Sequence, residues 1–256
     1  MLTKLLKRHI SAHAKDCYPA ECCGLIVKID GKKVYRRCKN IAKDNDQFYI
    51  DPQDVITAEN MGELIAIVHS HPDGTPNPSE FDKAQMSLHE LPWVIIAVDD
   101  KGATSFGVHT SSNYTAPLLG REYFHGVQDC YTLVKDYYER ELGITLSDYE
   151  RADGWWERGD SPSLYLDNFK KEGFIVVDDL QKHDAILCRV GDTLHVNHAL
   201  IYIDDGKLTS ERTPQTAVKN LVLHHPYGRL STRELYGQLW QDRAVMVLRH
   251  RRFCRG

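Results

Sequence analysis

The sequence predicts a two-domain protein of the α+β class, and three observations support this prediction. The chain has 256 residues, which is too long for one average domain and suits two domains of about 100–150 residues each. Apolar patterns typical of strands and helices alternate irregularly along the whole chain. The polar segment Thr110–Pro117, which ends in proline, predicts a linker at 111–117. The expected domains are therefore 1–110 and 118–256.

The elements of the first predicted domain follow from apolar spacing and turn residues. Apolar residues recur at helical spacing in Met1–Asp16. Cys22–Val27 and Lys32–Arg37 flank Asp30-Gly31, which predicts a hairpin with a two-residue turn. Similar patterns predict helices at Asp51–Met61 and Ser79–Glu90, and strands at Leu64–Val68, Trp93–Asp99 and Ala103–Val108.

The second predicted domain begins near Leu118 and mixes both element types. Cys130–Leu142 places apolar residues on one helical face. Ser231-Thr-Arg-Glu234 has the spacing of a capping box and predicts a helix that runs to about Trp240. Strands are predicted at Ala185–Val190, His198–Ile203, Asn220–His225 and Ala244–Arg249.

Composition argues against several functional classes. Hydrophobic residues make up 42% of the chain and charged residues 27%, which is typical of a folded globular protein. The net charge of -4 argues against a dedicated nucleic-acid binder. The longest apolar runs, Leu64–Val68 and Trp93–Val98, are shorter than the roughly 20 residues of a membrane-spanning helix. We expect no signal peptide, and the seven irregularly spaced cysteines favour folding in a reducing cytosol.

A histidine pair at the end of a predicted strand indicates a metal site. His69 and His71 are two residues apart, so strand alternation points both imidazoles to the same face. Asp82 follows in the first turn of the next predicted helix. Two imidazoles and one carboxylate are the ligands of a catalytic zinc site whose fourth position is left open. Alternatively, Ser79-x-x-Asp82 is also the pattern of an ordinary helix N-terminus.

The complete pattern H-x-H-x7-S-x2-D, together with Glu21 in Pro19-Ala-Glu-Cys-Cys-Gly24, resembles the JAMM (MPN-plus) metalloproteases over about residues 1–110. The resemblance implies a JAMM-like α/β domain with zinc on His69, His71 and Asp82. It implies amide or isopeptide hydrolysis, with Glu21 as the general base and Ser79 as the donor to the oxyanion. We interpret Cys22 and Cys23 as small buried strand residues and not as ligands.

Cys130 marks a second candidate site. Asp129-Cys130 opens a predicted helix, and the positive end of a helix favours a thiolate. A cysteine nucleophile also needs a histidine base that a third polar group orients. His198 begins a predicted strand and is the candidate base. His224 is the candidate orienting residue, and His225 remains an alternative.

The order Gly126-x-x-Asp-Cys130, then His198-x-x-x-Tyr202, then Leu-His-His resembles the NlpC-type cysteine peptidases over about residues 118–256. The resemblance implies a papain-like α+β domain that cuts the peptide stems of bacterial cell wall. Cys130 is then the nucleophile, His198 the base and His224 the third residue. The spacing from His198 to His224 is longer than is usual in the family. We interpret Lys207–Lys219 as an extended hairpin insertion that accounts for the difference.

The two domains in this order resemble the tail-tip assembly proteins of lambda-like siphophages over the whole chain. This resemblance implies other tail-tip proteins and host peptidoglycan as partners. It implies a location at the virion tail tip, and in the host cytoplasm during assembly, with a role in host entry. Two alternatives remain: an architectural assembly factor that needs no catalysis, and a cellular isopeptidase.

Overall fold

The computed structural model describes residues 2–42, 45, 47–88, 90–110 and 114–254. The chain divides into two compact units, Met1–Thr115 and Ala116–Gly256. Residues 111–113 of the expected linker lie outside the described residues. Within the described ranges, no helix combines the length and the apolar character needed to cross a bilayer.

The first unit is a five-stranded sheet with helices on its faces, and its strands are ordered β2-β1-β3-β4-β5. Strands β3 and β4 are parallel, and the other neighbouring strands are antiparallel. The elements are α1 (Lys4–Cys17), β1 (Cys23–Ile29), β2 (Lys32–Cys38), α2 (Pro52–Met61), β3 (Glu63–Pro72), α3 (Glu80–Met86), β4 (Trp93–Asp99) and β5 (Gly102–His109).

Local chemistry explains the boundaries of these elements. Thr3 caps α1 by accepting a hydrogen bond from the Leu6 backbone N–H at 3.2 Å. Asp30 and Gly31 both have positive φ, which matches the right-handed twist of the β1–β2 hairpin. The predicted Ser79–Glu90 helix is shorter than expected, since α3 ends at Met86. Strand β3 is longer than expected and includes both His69 and His71.

The second unit is a six-stranded antiparallel sheet with the order β10-β9-β8-β7-β11-β6. Its elements are α4 (Cys130–Leu142), β6 (Phe174–Val177), β7 (Ala185–Cys188), β8 (His198–Asp204), β9 (Leu221–His224), β10 (Thr232–Leu235), α5 (Gln238–Arg243) and β11 (Ala244–His250). Helix α4 packs its buried face against the central strands, and Tyr137 and Tyr138 are fully buried there. The two-domain α+β prediction is confirmed.

Two local predictions in the second unit are wrong. Thr232–Leu235 is a strand that pairs with β9, and the helix begins later, at Gln238. The Ser231 hydroxyl accepts a hydrogen bond from the Arg121 backbone N–H at 2.9 Å, so tertiary pairing outweighs the local capping pattern. Residues 207–219 form no hairpin; Glu141 and Arg233 hold this irregular segment through its backbone.

Candidate functional sites

The histidine pair and the aspartate of the first unit converge on one point. His69 and His71 lie at the end of β3, and their Nε2 atoms are 2.9 Å apart. Asp82 places Oδ1 at 3.2 Å from His69 Nε2 and Oδ2 at 3.1 Å from His71 Nε2. One ligand atom from each residue lies within 4.8 Å of the other two. The predicted alternation of the strand thus places both imidazoles on the face that meets α3.

Neighbouring groups fix the orientation of both rings. The His69 ring stacks on Phe48 at 4.4 Å between centroids and meets the edge of Trp93 at 5.4 Å. His71 Nδ1 lies 2.8 Å from the Thr75 carbonyl oxygen. Because a carbonyl only accepts, Nδ1 donates to it, and Nε2 of His71, which faces Asp82, is the ring nitrogen that a metal would take once its proton is lost.

Asp82 is held by the beginning of α3. The Ser79 backbone N–H donates to Asp82 Oδ2 at 2.7 Å, and the Ser79 hydroxyl donates to the same oxygen at 2.8 Å. The Asp82 N–H in turn donates to Ser79 Oγ at 3.1 Å, which completes a capping box. The two interpretations of Ser79-x-x-Asp82 are therefore compatible, because the helix cap also aims the carboxylate at the histidines.

Burial and charge oppose one another in this cluster. Burial lowers the pKa of His69. For His71, burial acts in the same direction, but the hydrogen bond to Asp82 outweighs it and the pKa is raised. Burial alone would raise the pKa of Asp82, yet hydrogen bonds from His69 and His71 hold it well below its ordinary value. Asp82 is therefore an ionised carboxylate at any physiological pH.

Glu21 lies beside this cluster because Ser70 holds the next residue, Cys22, through two hydrogen bonds. The Cys22 N–H donates to Ser70 Oγ at 2.8 Å, and the Ser70 N–H donates to the Cys22 carbonyl at 3.1 Å. This pairing holds Glu21 Oε1 at 4.0 Å from His71 Nε2. Glu21, His71, Ser79 and Asp82 line one open cavity of about 410 Å³. Sequence reasoning missed the role of Ser70, although its place between the two histidines was a usable signal.

The donor set fits a divalent transition metal. Two imidazole nitrogens and one carboxylate oxygen face one another, and the cavity beside them leaves room for a further ligand. Cys22 and Cys23 are buried, and desolvation by burial raises the pKa of the Cys22 thiol to about 12 and that of the Cys23 thiol further. Among the described residues, neither cysteine belongs to the group of converging ligand atoms, in keeping with their interpretation as buried strand residues.

In the second unit, a buried ion pair supports the first turn of α4. Asp129 caps the helix by accepting from the Thr132 N–H at 3.0 Å. The Arg151 guanidinium donates to both oxygens of Asp129, at 2.6 and 2.9 Å, and to the Thr132 hydroxyl at 2.7 Å. Cys130 is thereby fixed at the first residue of the helix.

The Cys130 sulfur lies against hydrogen-bonding groups other than a histidine. Its Sγ lies 3.2 Å from the Tyr165 hydroxyl and 3.9 Å from the Asn197 carbonyl oxygen. Burial and the nearby charge of Asp129 raise the thiol pKa to about 11. Burial of the sulfur therefore opposes the thiolate that a helix N-terminus favours.

His198 and His224 form a hydrogen-bonded pair. His198 Nε2 lies 3.0 Å from His224 Nδ1. Burial lowers the pKa of His198 to about 3 and also lowers that of His224. The Trp240 ring stacks on His198 at 5.6 Å and meets the edge of His224 at 4.8 Å. The pair is therefore neutral at pH 7 and held in a fixed orientation.

The register of β8 and β9 separates His224 from His225. His224 lies directly opposite Leu200, which shares a sheet face with His198. His225 follows the end of β9, and its ring meets Tyr123 at 5.1 Å between centroids. The structure brings His224 to His198, whereas His225 lies against Tyr123 on another part of the same cavity wall.

Cys130, His198 and His224 all line one cavity of about 480 Å³. No hydrogen bond joins Cys130 to His198 among the contacts of the described residues. Such contacts are often loose in proteins without substrate. The wall of the cavity also includes Arg243, which lies over the Trp240 ring at 5.4 Å.

Comparison with known families assigns one domain family to each unit. Residues 3–109 match the prokaryotic homologs of the JAB domain. Residues 120–249 match the NlpC/P60 family. Tail tip assembly protein K of Escherichia phage N15 is 35% identical over 94% of this chain and 93% of its own length. The chain belongs to the tail tip assembly protein family of lambda-like phages. The predicted resemblance is confirmed, with both domains in the expected order.

A second phage protein and a solved structure also match this chain, and they differ in how much of the chain they cover. The protein of the same name from Escherichia phage lambda is 37% identical over 79% of this chain and 89% of its own length. A solution structure from Desulfitobacterium hafniense is 29% identical and covers 37% of this chain and 72% of that chain, with a TM-score of 0.32. The assignment therefore rests on the two phage proteins and the two domain families.

Sequence reasoning missed one further residue near the cysteine site of this tail tip assembly protein. Glu234 was assigned to a helix cap, but it lies on β10 with Oε1 at 3.5 Å from His224 Nε2. Its other oxygen accepts a hydrogen bond from the Trp240 indole N–H at 3.0 Å. The pairing of β10 with β9 creates this contact, and no local pattern in the sequence signals it.

Proposed function

We propose that the NlpC/P60 domain of this tail tip assembly protein cleaves the peptide stems of host peptidoglycan through Cys130. The observation that carries the proposal is the hydrogen-bonded His198–His224 pair in the same open cavity as a cysteine at a helix N-terminus. Hydrolysis of purified stem peptides by the full chain, under reducing conditions, tests it.

The tautomers of the pair follow from their neighbours. A carboxylate beside Nε2 of His224 favours a proton on that nitrogen, because Glu234 Oε1 lies 3.5 Å away. His224 Nδ1 then accepts from the Nε2–H of His198, which leaves Nδ1 of His198 unprotonated. That nitrogen is the base available to Cys130.

The proposed reaction has two halves. The Cys130 thiol gives its proton to His198 Nδ1, and Sγ attacks the scissile carbonyl carbon. His198 then returns the proton to the leaving amine nitrogen as the C–N bond breaks, and a thioester remains. A water molecule gives a proton to His198, attacks the thioester carbonyl and releases the acid, while the proton returns to sulfur.

The charges of the cavity suit an anionic peptide. Arg243 lines the cavity, and the ion pairs of the described residues give it no carboxylate partner. Stem peptides carry carboxylates, and a guanidinium binds a carboxylate through two parallel hydrogen bonds. Trp155, Trp156 and Tyr227 add apolar surface to the same wall.

For the JAB-like domain we propose a zinc site on His69, His71 and Asp82. Zinc at this position supplies Lewis-acid polarisation of a substrate carbonyl and activation of water. Glu21 is the proposed general base: its carboxylate takes a proton within the shared cavity and returns it to the leaving amine of an amide or isopeptide. The Ser79 hydroxyl donates to Asp82, so its proposed donation to an oxyanion requires this proton to turn towards the substrate.

The setting follows from the family. We propose that the chain acts with other tail-tip proteins at the virion tail tip, after assembly in the host cytoplasm, and meets peptidoglycan during host entry. The names of the two phage relatives, which describe assembly, support a second candidate: an architectural factor in which neither site turns over substrate.

Removing the orienting histidine is expected to slow stem-peptide hydrolysis more than removing its neighbour. His224→Ala takes away the partner of His198 Nε2, and we expect a loss of kcat/KM that is about 10- to 100-fold smaller than the loss caused by removing the nucleophile. His225→Ala is the matched control and should change kcat/KM less than threefold in a folded protein. A larger loss with His225→Ala would reverse the assignment of the third residue.

The pH profile should lack the inflection of an ordinary histidine. Because the pKa of His198 is lowered to about 3, the base is already unprotonated at pH 5, and protonation impairs it only as the pH falls towards 3. We expect kcat/KM for stem peptides to be nearly constant between about pH 5 and 8. A loss of kcat/KM on the acidic side with a midpoint near pH 6.5 would contradict this expectation, because it would show that the pKa of His198 in the free protein is not lowered by burial.

A further inference from the structure

Tyr165 contacts the proposed nucleophile directly. Its hydroxyl oxygen lies 3.2 Å from Cys130 Sγ, and the residue is only 6% exposed. The ring is held between aromatic neighbours, with centroids 6.0 Å from Tyr131 and 6.4 Å from Trp155. The hydroxyl is therefore fixed beside the sulfur.

The chemistry of the pair sets the direction of this hydrogen bond. Burial raises the pKa of Tyr165 well above its ordinary value, so the phenol keeps its proton at every working pH. The Asn197 carbonyl, 3.9 Å from Sγ, can only accept, and the thiol S–H donates a hydrogen bond to it. The sulfur is thus the acceptor for the Tyr165 O–H.

We propose that Tyr165 is a catalytic residue of the cysteine site, whose hydroxyl donates a hydrogen bond to the Cys130 thiolate as it forms. This inference rests on the proposed peptidase function. The sulfur must gain negative charge in a buried position next to the Asp129 carboxylate, and both features oppose ionisation. A hydrogen bond to an ionised acceptor is about twice as strong as one to a neutral acceptor, so the Tyr165 contact strengthens when the thiolate forms.

No free positive charge lies beside the Cys130 sulfur among the described residues, so a neutral donor such as the Tyr165 hydroxyl can contribute to stabilising the thiolate. Arg151 favours the thiolate, but its guanidinium is already engaged by both oxygens of Asp129. His198 and His224 are neutral at pH 7 because burial lowers the pKa of each. The Ala199 N–H at the beginning of β8 favours the thiolate as well. Tyr165 is the side-chain hydroxyl placed against the sulfur.

Alkylation of Cys130 in the full chain tests the proposal without any substrate. The rate constant with iodoacetamide at pH 8 is followed by mass spectrometry of the Cys130 peptide. Loss of the hydroxyl in Tyr165→Phe should lower the thiolate fraction about tenfold, or about one pKa unit. Because a more basic thiolate is also more nucleophilic, we expect the observed rate to fall about three- to fivefold.

Tyr137→Phe is the matched control, because it removes another buried hydroxyl from the same unit, one that bonds His183. Its Cys130 rate should equal that of the unchanged protein. The bulkier N-phenyl iodoacetamide distinguishes chemistry from access: a change in thiolate fraction lowers both rates by the same factor. An unchanged rate in Tyr165→Phe, or an equal fall in Tyr137→Phe, overturns the proposal.

A second variant covers the case in which Tyr165→Phe does not fold. Site-specific 3-fluorotyrosine at position 165 keeps the ring and makes the hydroxyl a stronger donor, so Cys130 alkylation should become faster; a slower or unchanged rate contradicts the proposal. The outcomes also separate the two proposals. A Tyr165 effect on alkylation without stem-peptide hydrolysis supports the contact and contradicts the peptidase function.

Discussion

Cys130→Ala is expected to abolish hydrolysis of peptidoglycan stem peptides by the full chain. The substitution removes the proposed nucleophile while the helix cap at Asp129 and its ion pair with Arg151 remain. Loss of the nucleophile from such a site costs several orders of magnitude, so we expect a fall in kcat of at least about 1,000-fold. His198→Ala should have a comparable effect. Product release is measured by chromatography of purified stem peptides under reducing conditions.

Two controls make this result specific to the cysteine site. Cys254→Ala removes a different, partly exposed thiol of the same unit and should leave hydrolysis unchanged. A metal chelator should also leave it unchanged, because His69, His71 and Asp82 belong to the first unit. Hydrolysis that survives in Cys130→Ala but stops with the chelator would transfer the activity to the metal site. A folded wild-type chain that leaves stems uncut would favour the architectural alternative.

The largest effect on metal content is expected from His69→Ala/Asp82→Ala. The unchanged protein should bind about one zinc per chain at the three converging ligand atoms. Removal of two of the three ligands should weaken zinc binding far more than the 10- to 100-fold typical of changes outside the ligand set. Competition with a chromophoric chelator, together with elemental analysis, measures both quantities.

Neighbouring carboxylates provide the matched controls. Asp73→Asn changes another carboxylate of the same cavity, one that accepts a hydrogen bond from the Tyr18 hydroxyl, and zinc binding should stay within a factor of three. Glu21→Gln should likewise keep the metal, since Glu21 is proposed as a base and not as a ligand. Stoichiometric zinc in His69→Ala/Asp82→Ala would contradict the ligand assignment, and loss of zinc in Glu21→Gln would make Glu21 a ligand.

Short-range patterns predicted a large part of the fold. Trp93–Asp99 and Cys130–Leu142 have the expected bounds, because an apolar run or a helical stripe with a clear cap is local information. Phe174–Val177 was missed, since this four-residue strand lies at the edge of the sheet and has little pattern of its own. The false helix at Ser231–Glu234 arose because a capping pattern also occurs on an edge strand that pairs with β9.

Some residues of the candidate sites could likewise be predicted from local spacing, whereas others depend on contacts between distant segments. His69, His71 and Asp82 were predicted as a group because their spacing, two residues on a strand and then a helix start, brings them together without distant contacts. The choice between His224 and His225 needed the register of β8 and β9, which a single sequence does not give. Tyr165 lies 35 positions from Cys130 in an irregular segment, so no periodicity could connect the two residues.

The resemblance of its motifs implied the two domain families, and the sequence by itself determined the histidine pair with its aspartate and a cysteine at a helix start. These features are local in the chain, and chain geometry carries them directly into the structure. The tertiary structure alone decided the Ser70 anchor of Glu21, the Glu234 contact with His224, and the protonation of Cys130. Its thiol pKa is raised to about 11 because burial, a property of the whole fold, disfavours the charged thiolate. Proximity and desolvation depend on distant segments that pack together, and short-range sequence patterns do not encode them.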